Sequence, residues 1–431
     1  MVGPAGQEIM TATIAKFQFE LIRVVGSPRF RSVLISASKF AAAAAFAFLV
    51  CPLYSHENVT TTVTYDREIS RILRKKCIMC HSEDNLAVPL TTYEETRPWA
   101  RDIEERVLGR SMPPWQPVAG YGHFANDIGL TNREMQFIVS WVEGNGPYSK
   151  DSSRLDNFGA DIVPSAKVKK PDAIQWRLGH PDVVAVLPAD PAPGNDAKLV
   201  RRLTIDPGIT SDRWVQSLEF QPSDRHLLRA AYFFLEETGQ WVGSWTPWST
   251  VTTMPQRVAW RISAGAHIVA ELHYQASSQA ASESAGSKSA ANEGSLGFHF
   301  ASGPPAYHPV DLLLEAKHAQ APAADALKLT GSVRIAADSR LLAFRPELPK
   351  GIESFEVSAR KPDGTTEVLL LVRHAVPEWP TPYILSQPVA LPKNTEIDVT
   401  AYARAGQDVA GLRLTLSVYD ATVPAIVTTA R

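Results

Sequence analysis

The stretch SFEVSARKPDGTTEVLLLV, residues 354–372, holds two runs of β-branched and apolar residues separated by Pro362 and Gly364. In FEVSAR apolar and polar residues alternate, which puts one face of a strand in a core and the other in water. The same period recurs in DVVAVLP (182–188), VQSLEF (215–220), AHIVAELHY (266–274), EIDVTAYA (396–403) and LRLTLSVYD (412–420). Short strands punctuated by Pro and Gly are the mark of antiparallel sandwiches rather than βαβ units. A Ser/Ala-rich stretch, residues 275–295, divides this region into halves of similar length. The expectation is two β-sandwich, jelly-roll-like domains over 174–295 and 296–431, the first ending in that low-complexity loop.

Upstream the period changes. DREISRILRKKCIMCH (66–81) places Ile69, Ile72 and Leu73 on one helical face running into two cysteines. RPWARDIEERVLG (97–109) repeats the spacing at Trp99, Ile103 and Val107, with Gly109 as a stop. TNREMQFIVSWVEGNGP (131–147) opens on a capping box, Thr131 with Glu134, and ends at Gly144. Three helices predict a small all-α domain over 56–147, followed by a polar linker at 148–173.

Basic residues Lys16, Arg23, Arg29, Arg31 and Lys39 precede the apolar run FAAAAAFAFLVCPLY (40–54). That order is a secretory signal pattern, and the run is short for a membrane span. Residues 1–55 are expected to direct export to the periplasm or another extracytoplasmic space. Whether they are cleaved or kept as a membrane anchor stays open, and Cys51 after Val50 is a poor lipoprotein match. The chain is 45% hydrophobic and 20% charged with a formal net charge of −2, so it can bury a core and has no basic footprint for nucleic acid.

The chemistry concentrates at Cys77-Ile78-Met79-Cys80-His81. Only three cysteines occur in 431 residues, and no partner pair or nearby ligand set exists for a zinc knuckle. A thioredoxin-like pair would follow a strand, whereas the context here reads as helical. Haem attachment remains: two thiols for thioethers and an adjacent imidazole for iron. One covalent haem c is expected on Cys77 and Cys80, with His81 as proximal ligand. For the distal position, Met112 in GRSMPPWQP sits in a segment stiffened by two prolines. His123 in GYGHFAND is the alternative, while Met135 reads as helix core.

With CIMCH, SMPPW and GHFANDIGLTNREMQFIVSWVEGNGP in view, residues 66–147 resemble the small c-type cytochrome domain fused to other modules in secreted bacterial proteins. The resemblance implies His81 and Met112 as iron ligands. Farther along, WRLGHPDVVAVLP, DRWVQSLEFQPSDRHLLRAAYFF, AGAHIVAELHYQ and SFEVSARKPDGTTEVLLLV resemble the copper type II, ascorbate-dependent monooxygenases, relatives of the peptidylglycine hydroxylating and dopamine β-monooxygenases. That resemblance implies two sandwich domains and two copper sites built mainly from histidines. Here Arg229 and Ala230 stand where a His pair belongs, and Gln275 follows His273 where a second imidazole belongs. Pro346, Glu347 and Leu348 replace a His-x-His segment, and no methionine occurs after Met254. His273 is then a vestigial ligand, and copper is not expected. His267 and His299 read as strand residues, and His180, His226, His308, His318 and His374 as surface or turn residues. Trp241, Trp245 and Trp248 read as core packing, with a ligand groove as the alternative.

These features predict an exported haem-c electron carrier whose monooxygenase-like β region serves as a docking or binding platform. Its partner would be a redox protein or a respiratory-chain donor or acceptor. Two alternatives stay open: a working copper monooxygenase fed by its own haem, and a haem-based gas or redox sensor. No G-x-S-x-G, H-E-x-x-H or Gly-rich phosphate loop points to other chemistry.

Overall fold

The computed structural model describes residues 61–82, 87–149, 176–188, 200–225, 228–274, 292–318, 326–404, 406–407 and 409–422. The segment 1–55 expected to direct export, the expected linker from 150 onward, His226 and Gln275 lie outside the described residues, as does the Ser/Ala-rich stretch up to residue 291.

Among the described residues strands dominate, and the ladders between them are antiparallel. In the first sandwich, one sheet holds β1 (Val183–Pro188), β9 (Asn292–Phe300), β3 (Arg213–Pro222), β6 (Val251–Thr253) and β7 (Trp260–Ile262). The facing sheet runs β2 (Val200–Ile205), β8 (Ile268–Tyr274), β4 (Leu228–Leu235), β5 (Trp241–Trp245). Strand β8 buries every second residue, as its sequence period requires. Phe220 of one sheet meets Phe233 and Trp245 of the other edge-on, with centroids 5.1 and 6.2 Å away. Strand β9 pairs with β1 and β3, so the first sandwich extends through residue 300 and not to 295.

The second sandwich is one long sheet folded on itself. Its halves are β14 (Thr366–Val372), β13 (Ile352–Arg360), β16 (Glu396–Arg404), β11 (Ala326–Arg334) and β10 (Val310–His318), β17 (Leu412–Asp420), β12 (Ser339–Glu347), β15 (Tyr383–Leu391). They are joined where Lys317 and His318 of β10 pair with Thr330 and Leu329 of β11. Phe344, Leu414 and Tyr383 pack with Phe355, Val357 and Val399 in its core. The β13–β14 turn needs Gly364, at φ +86°, and Asp363 accepts hydrogen bonds from the N–H and hydroxyl of Thr365.

A half-buried polar knot joins the sandwiches. Asp311 of β10 accepts from Arg345 of β12 at 2.5 Å, from Ser417 of β17 at 2.6 Å, and from the Trp241 N–H of β5 at 3.0 Å. The Arg345 guanidinium lies 5.2 Å over Trp241 and 5.7 Å over Phe234. Three donors on one carboxylate offset the cost of taking the charges out of water.

The expected small all-α cytochrome c domain is not what forms. Strand makes up 45% of the described residues, and the helices among them are short. They are α1 (Ser70–Lys76) behind a single π-helical turn (Tyr65–Ile69), α2 (Tyr93–Thr96), α3 (Ala100–Leu108) and α4 (Asn132–Glu143). The capping box on α4 and the Gly109 stop on α3 form as read. Residues 110–130 contain no helix. Instead Trp115, Phe124 and Ile128 join the core of the second sandwich. Pro117 and Phe124 bridge to Val372 of β14 and Leu385 of β15, and the chain from Thr61 to Arg431 is one compact unit. Amphipathic spacing located the helices but could not show that the loop between them completes a β core.

Two buried amides hold this strap. Asn126 donates to the Pro382 carbonyl at 2.7 Å and accepts from the Ile384 N–H at 3.2 Å. Gln116 accepts from the Tyr383 hydroxyl at 3.2 Å and donates toward the Val376 and Trp379 carbonyls. Asn126→Ala removes the partner of the Pro382 carbonyl and of the Ile384 N–H and should cost about 1–3 kcal/mol. Denaturant unfolding followed by circular dichroism should show helix and strand signals shifting together. A helical segment that folds independently would leave the strand transition unmoved.

Candidate functional site

Helix α1 ends where the motif begins. The N–H groups of Cys77 and Ile78 both return to the Leu73 carbonyl, at 2.8 and 3.0 Å, and Cys77 leaves helical geometry at φ −122°. The N–H groups of Cys80 and His81 then both reach the Cys77 carbonyl at 3.0 Å. The cysteines therefore sit on the tight turn that closes α1, not on a continuing helical face. Neither thiol is in a disulfide. Lys76, buried beside them, donates to the Gly129 carbonyl at 2.7 Å and ties the turn to the segment before α4.

His81 is oriented by the backbone. Its Nδ1 lies 2.8 Å from the Val88 carbonyl, and its own carbonyl accepts from the Leu90 N–H at 2.9 Å. A carbonyl can only accept, so Nδ1 must carry the proton. The lone pair is then on Nε2, the tautomer that a metal-binding imidazole requires.

The turn straddles two cores. Cys77 packs against the helical cluster of Ile69, Leu73, Val107 and Trp141, whereas Met79 packs against the core of the second sandwich. Met112 falls in sequence between Val107 of the helical cluster and Trp115 of the second-sandwich core. The Met112–Pro113 peptide is cis, and the Trp115 N–H bonds back to the Pro113 carbonyl at 2.7 Å. The expected extended segment is thus a sharp turn, with Met112 partly buried. His123 is exposed, and its carbonyl accepts from the Ser386 N–H of β15 at 2.8 Å. Met135 packs into the helical cluster.

Burial pushes the Cys77 thiol up to about 12, helped by Cys80 and opposed by Lys76. It pushes Cys80 up to about 11, against the pull of Arg225. Catalytic Cys-x-x-Cys pairs show the opposite, a lowered thiol pKa that supplies thiolate near neutrality.

In the β region, Ala230 of β4 stands directly opposite His273 of β8. His273 Nε2 lies 2.8 Å from Glu271, whose carboxyl is held below the usual range by that bond and by one to Arg202 at 2.7 Å. Arg229 lies 4.7 Å over the Trp379 ring and donates to the Glu378 carbonyl. Glu347 pairs with Arg413 at 3.0 Å, and Leu348 packs against the second core. Among the described residues, no three His, Cys, Asp or Glu side chains gather into a cluster that could hold a metal ion. Trp241 and Trp245 are fully buried core, while Trp248 faces Trp379 with centroids 5.9 Å apart. Val88 escaped the sequence reading because a backbone carbonyl leaves no residue signature, and Trp379 because it meets Trp248 from a distant loop.

No family model matches the chain, and no curated protein matches it. Among solved structures, the major capsid protein P2 from Bacteriophage PM2 aligns over 55% of this chain and 96% of its own, at 9% identity and a TM-score of 0.29. The mavirus major capsid protein aligns over 61% and 90%, at 9% identity and a TM-score of 0.20. Allantoicase aligns over 50% and 77%, at 9% identity and a TM-score of 0.17. Similarity this distant assigns no activity.

The raised thiol pKa values predict slow alkylation of Cys77 and Cys80 in haem-free protein at pH ~8, with the rate climbing as pH rises toward the thiol values. Peptide-resolved mass spectrometry after iodoacetamide treatment separates them from Cys51. Rapid labelling near neutrality would identify a reactive dithiol instead.

Proposed function

We propose that the chain is an exported haem-c electron-transfer protein whose β region is a platform for a redox partner. The observation that carries this reading is the Nδ1 contact from His81 to the Val88 carbonyl, which frees Nε2 one residue after Cys80. Cys77 and Cys80 would hold one haem by thioethers from the turn after α1, and His81 would supply the proximal nitrogen. Haem bound there would supply one-electron exchange at its iron. Met112, delivered by the turn after α3, is the proposed second ligand, with His123 as the alternative. Leu73 and Val107 on one side and Met79 on the other would exclude water from the turn.

The β region is proposed as platform rather than oxygenase because of what its side chains already do. His273 is committed to Glu271, Ala230 opposite it offers no donor, and Arg229 is stacked on an indole. The interdomain knot at Asp311 supports the platform through burial and hydrogen bonds, with no coordination needed.

After export with haem-maturation machinery, the protein should stain for haem on a denaturing gel. Replacing both cysteines, Cys77→Ala with Cys80→Ala, should remove the stain. Met112→Ala should abolish the weak Met–iron charge-transfer band and lower the potential. Survival of the stain without the cysteines would refute covalent attachment, and survival of the band would move the distal ligand elsewhere.

Copper titration should give no stoichiometric tight site and no ascorbate-dependent hydroxylation. Copper retained through purification, and lost on His273→Ala, would favour the monooxygenase.

A further inference from the structure

Trp241, Trp245 and Trp260 are sealed in the first core, but Trp248 is half-buried at the tip of the β5–β6 hairpin. The tip is tight, because the Thr246 and Ser249 backbones exchange hydrogen bonds at 2.9 and 3.0 Å. The indole faces Trp379 of the second sandwich, with centroids 5.9 Å apart. A braced turn presents Trp379. Its N–H bonds to the Val376 carbonyl at 3.0 Å, and its carbonyl accepts from the Thr381 hydroxyl at 3.1 Å and the Gln116 amide at 3.4 Å.

Three guanidiniums border this pair of rings, each held by a neutral group. Arg229 lies on the bulge where the β4–β8 register shifts between Leu228 and Ala230. It sits 4.7 Å over the Trp379 ring and donates to the Glu378 carbonyl at 3.0 Å. Arg225 donates to the Pro247 carbonyl, next to Trp248, at 3.2 Å. Arg177 donates to the Thr250 hydroxyl, just past the tip, at 3.4 Å. The Glu378 side chain is exposed, and Glu219 is committed to the backbone N–H groups of Arg177 and Leu178 at 2.9 and 3.4 Å.

Two donors here have no acceptor. Arg229 Nε and Trp248 Nε1 are shut off from solvent and make no hydrogen bond among the described residues. An N–H kept from water without an acceptor is costly, so native proteins keep few that no ligand or water completes. The core indoles share this defect, but their rings are fully enclosed, whereas Arg229, Trp248 and Trp379 are all partly exposed.

We infer that this junction between the sandwiches is a binding site for a small carboxylate ligand, held by Arg229 Nε and Trp248 Nε1 beside the Trp379 ring. The inference goes beyond the haem reading and does not rest on it. A carboxylate brings two acceptor oxygens to two unpaired donors, and the guanidinium matches its charge. The flanking indoles displace water, which strengthens that attraction. To reach both N–H groups the ligand turns Trp248 at the hairpin tip, which changes its packing on Trp379.

The test is calorimetric titration of the full-length exported protein with succinate in a carboxylate-free, low-salt buffer, with succinamide and sulfate as controls. Succinate should bind at one site per chain and weaken as salt rises, and neutral succinamide should not bind. Arg229→Gln should weaken succinate by about tenfold or more, as loss of a charge-assisted hydrogen bond requires. Trp248→Phe keeps a ring but removes the N–H, and should weaken it about fivefold. Tryptophan fluorescence should change on binding in the wild type, and that change should vanish in Trp248→Phe. No succinate binding, or binding that both variants retain, overturns this inference and leaves the haem reading standing. Sulfate bound as tightly as succinate also overturns it, since the junction would then take any anion. If Arg229→Gln fails to melt cooperatively, Trp248→Phe at the hairpin tip decides.

Discussion

The strap from Trp115 to Ile128 is the constraint on which the rest of this architecture depends. It carries the chain away from α3 and inserts Trp115 and Phe124 against Tyr383, with ring centroids 5.6 and 5.8 Å away. It then returns to α4 after Asn126 has closed its two bonds to the start of β15. Without the strap, the helices would have only their own small core. With it, the turn holding Cys77, Cys80 and His81 is fixed between two hydrophobic clusters. Aromatic burial supplies most of the attraction, and the paired amides set the register, since a one-residue slip would strand both.

A consequence is that the motif belongs to both parts of the molecule. Cys77 packs with the helices and Met79 with the second sandwich. The Asp311 knot ties the second sandwich, which Met79 packs against, to β5 of the first. Under the proposed function, the β platform would shape the environment of the electron carrier directly.

Much of this was legible in the sequence, and the failures have physical causes. The strands of AHIVAELHY and EIDVTAYA follow from alternation alone, because one face of each is buried and the other is not. The capping box at Thr131 and the stop at Gly109 are local chemistry and form as written. The separate all-α domain failed because Trp115 and Phe124 find their partners some 260 residues away, around Tyr383. The boundary at 295 failed because β9 continues past the low-complexity stretch to pair with β1 and β3. At the candidate site, the cysteines and the histidine are visible as residue types. The Val88 carbonyl that orients His81 is a main-chain group, and any residue at that position would supply it.

The account stands or falls on covalent attachment at the turn after α1. The direct measurement is the mass of the peptide spanning Cys77 to His81, released by proteolysis from protein exported in cells that mature c-type haem. The account predicts that peptide carrying one haem, with neither thiol open to alkylation. Recovery of the same peptide unmodified, with both thiols free, would contradict it.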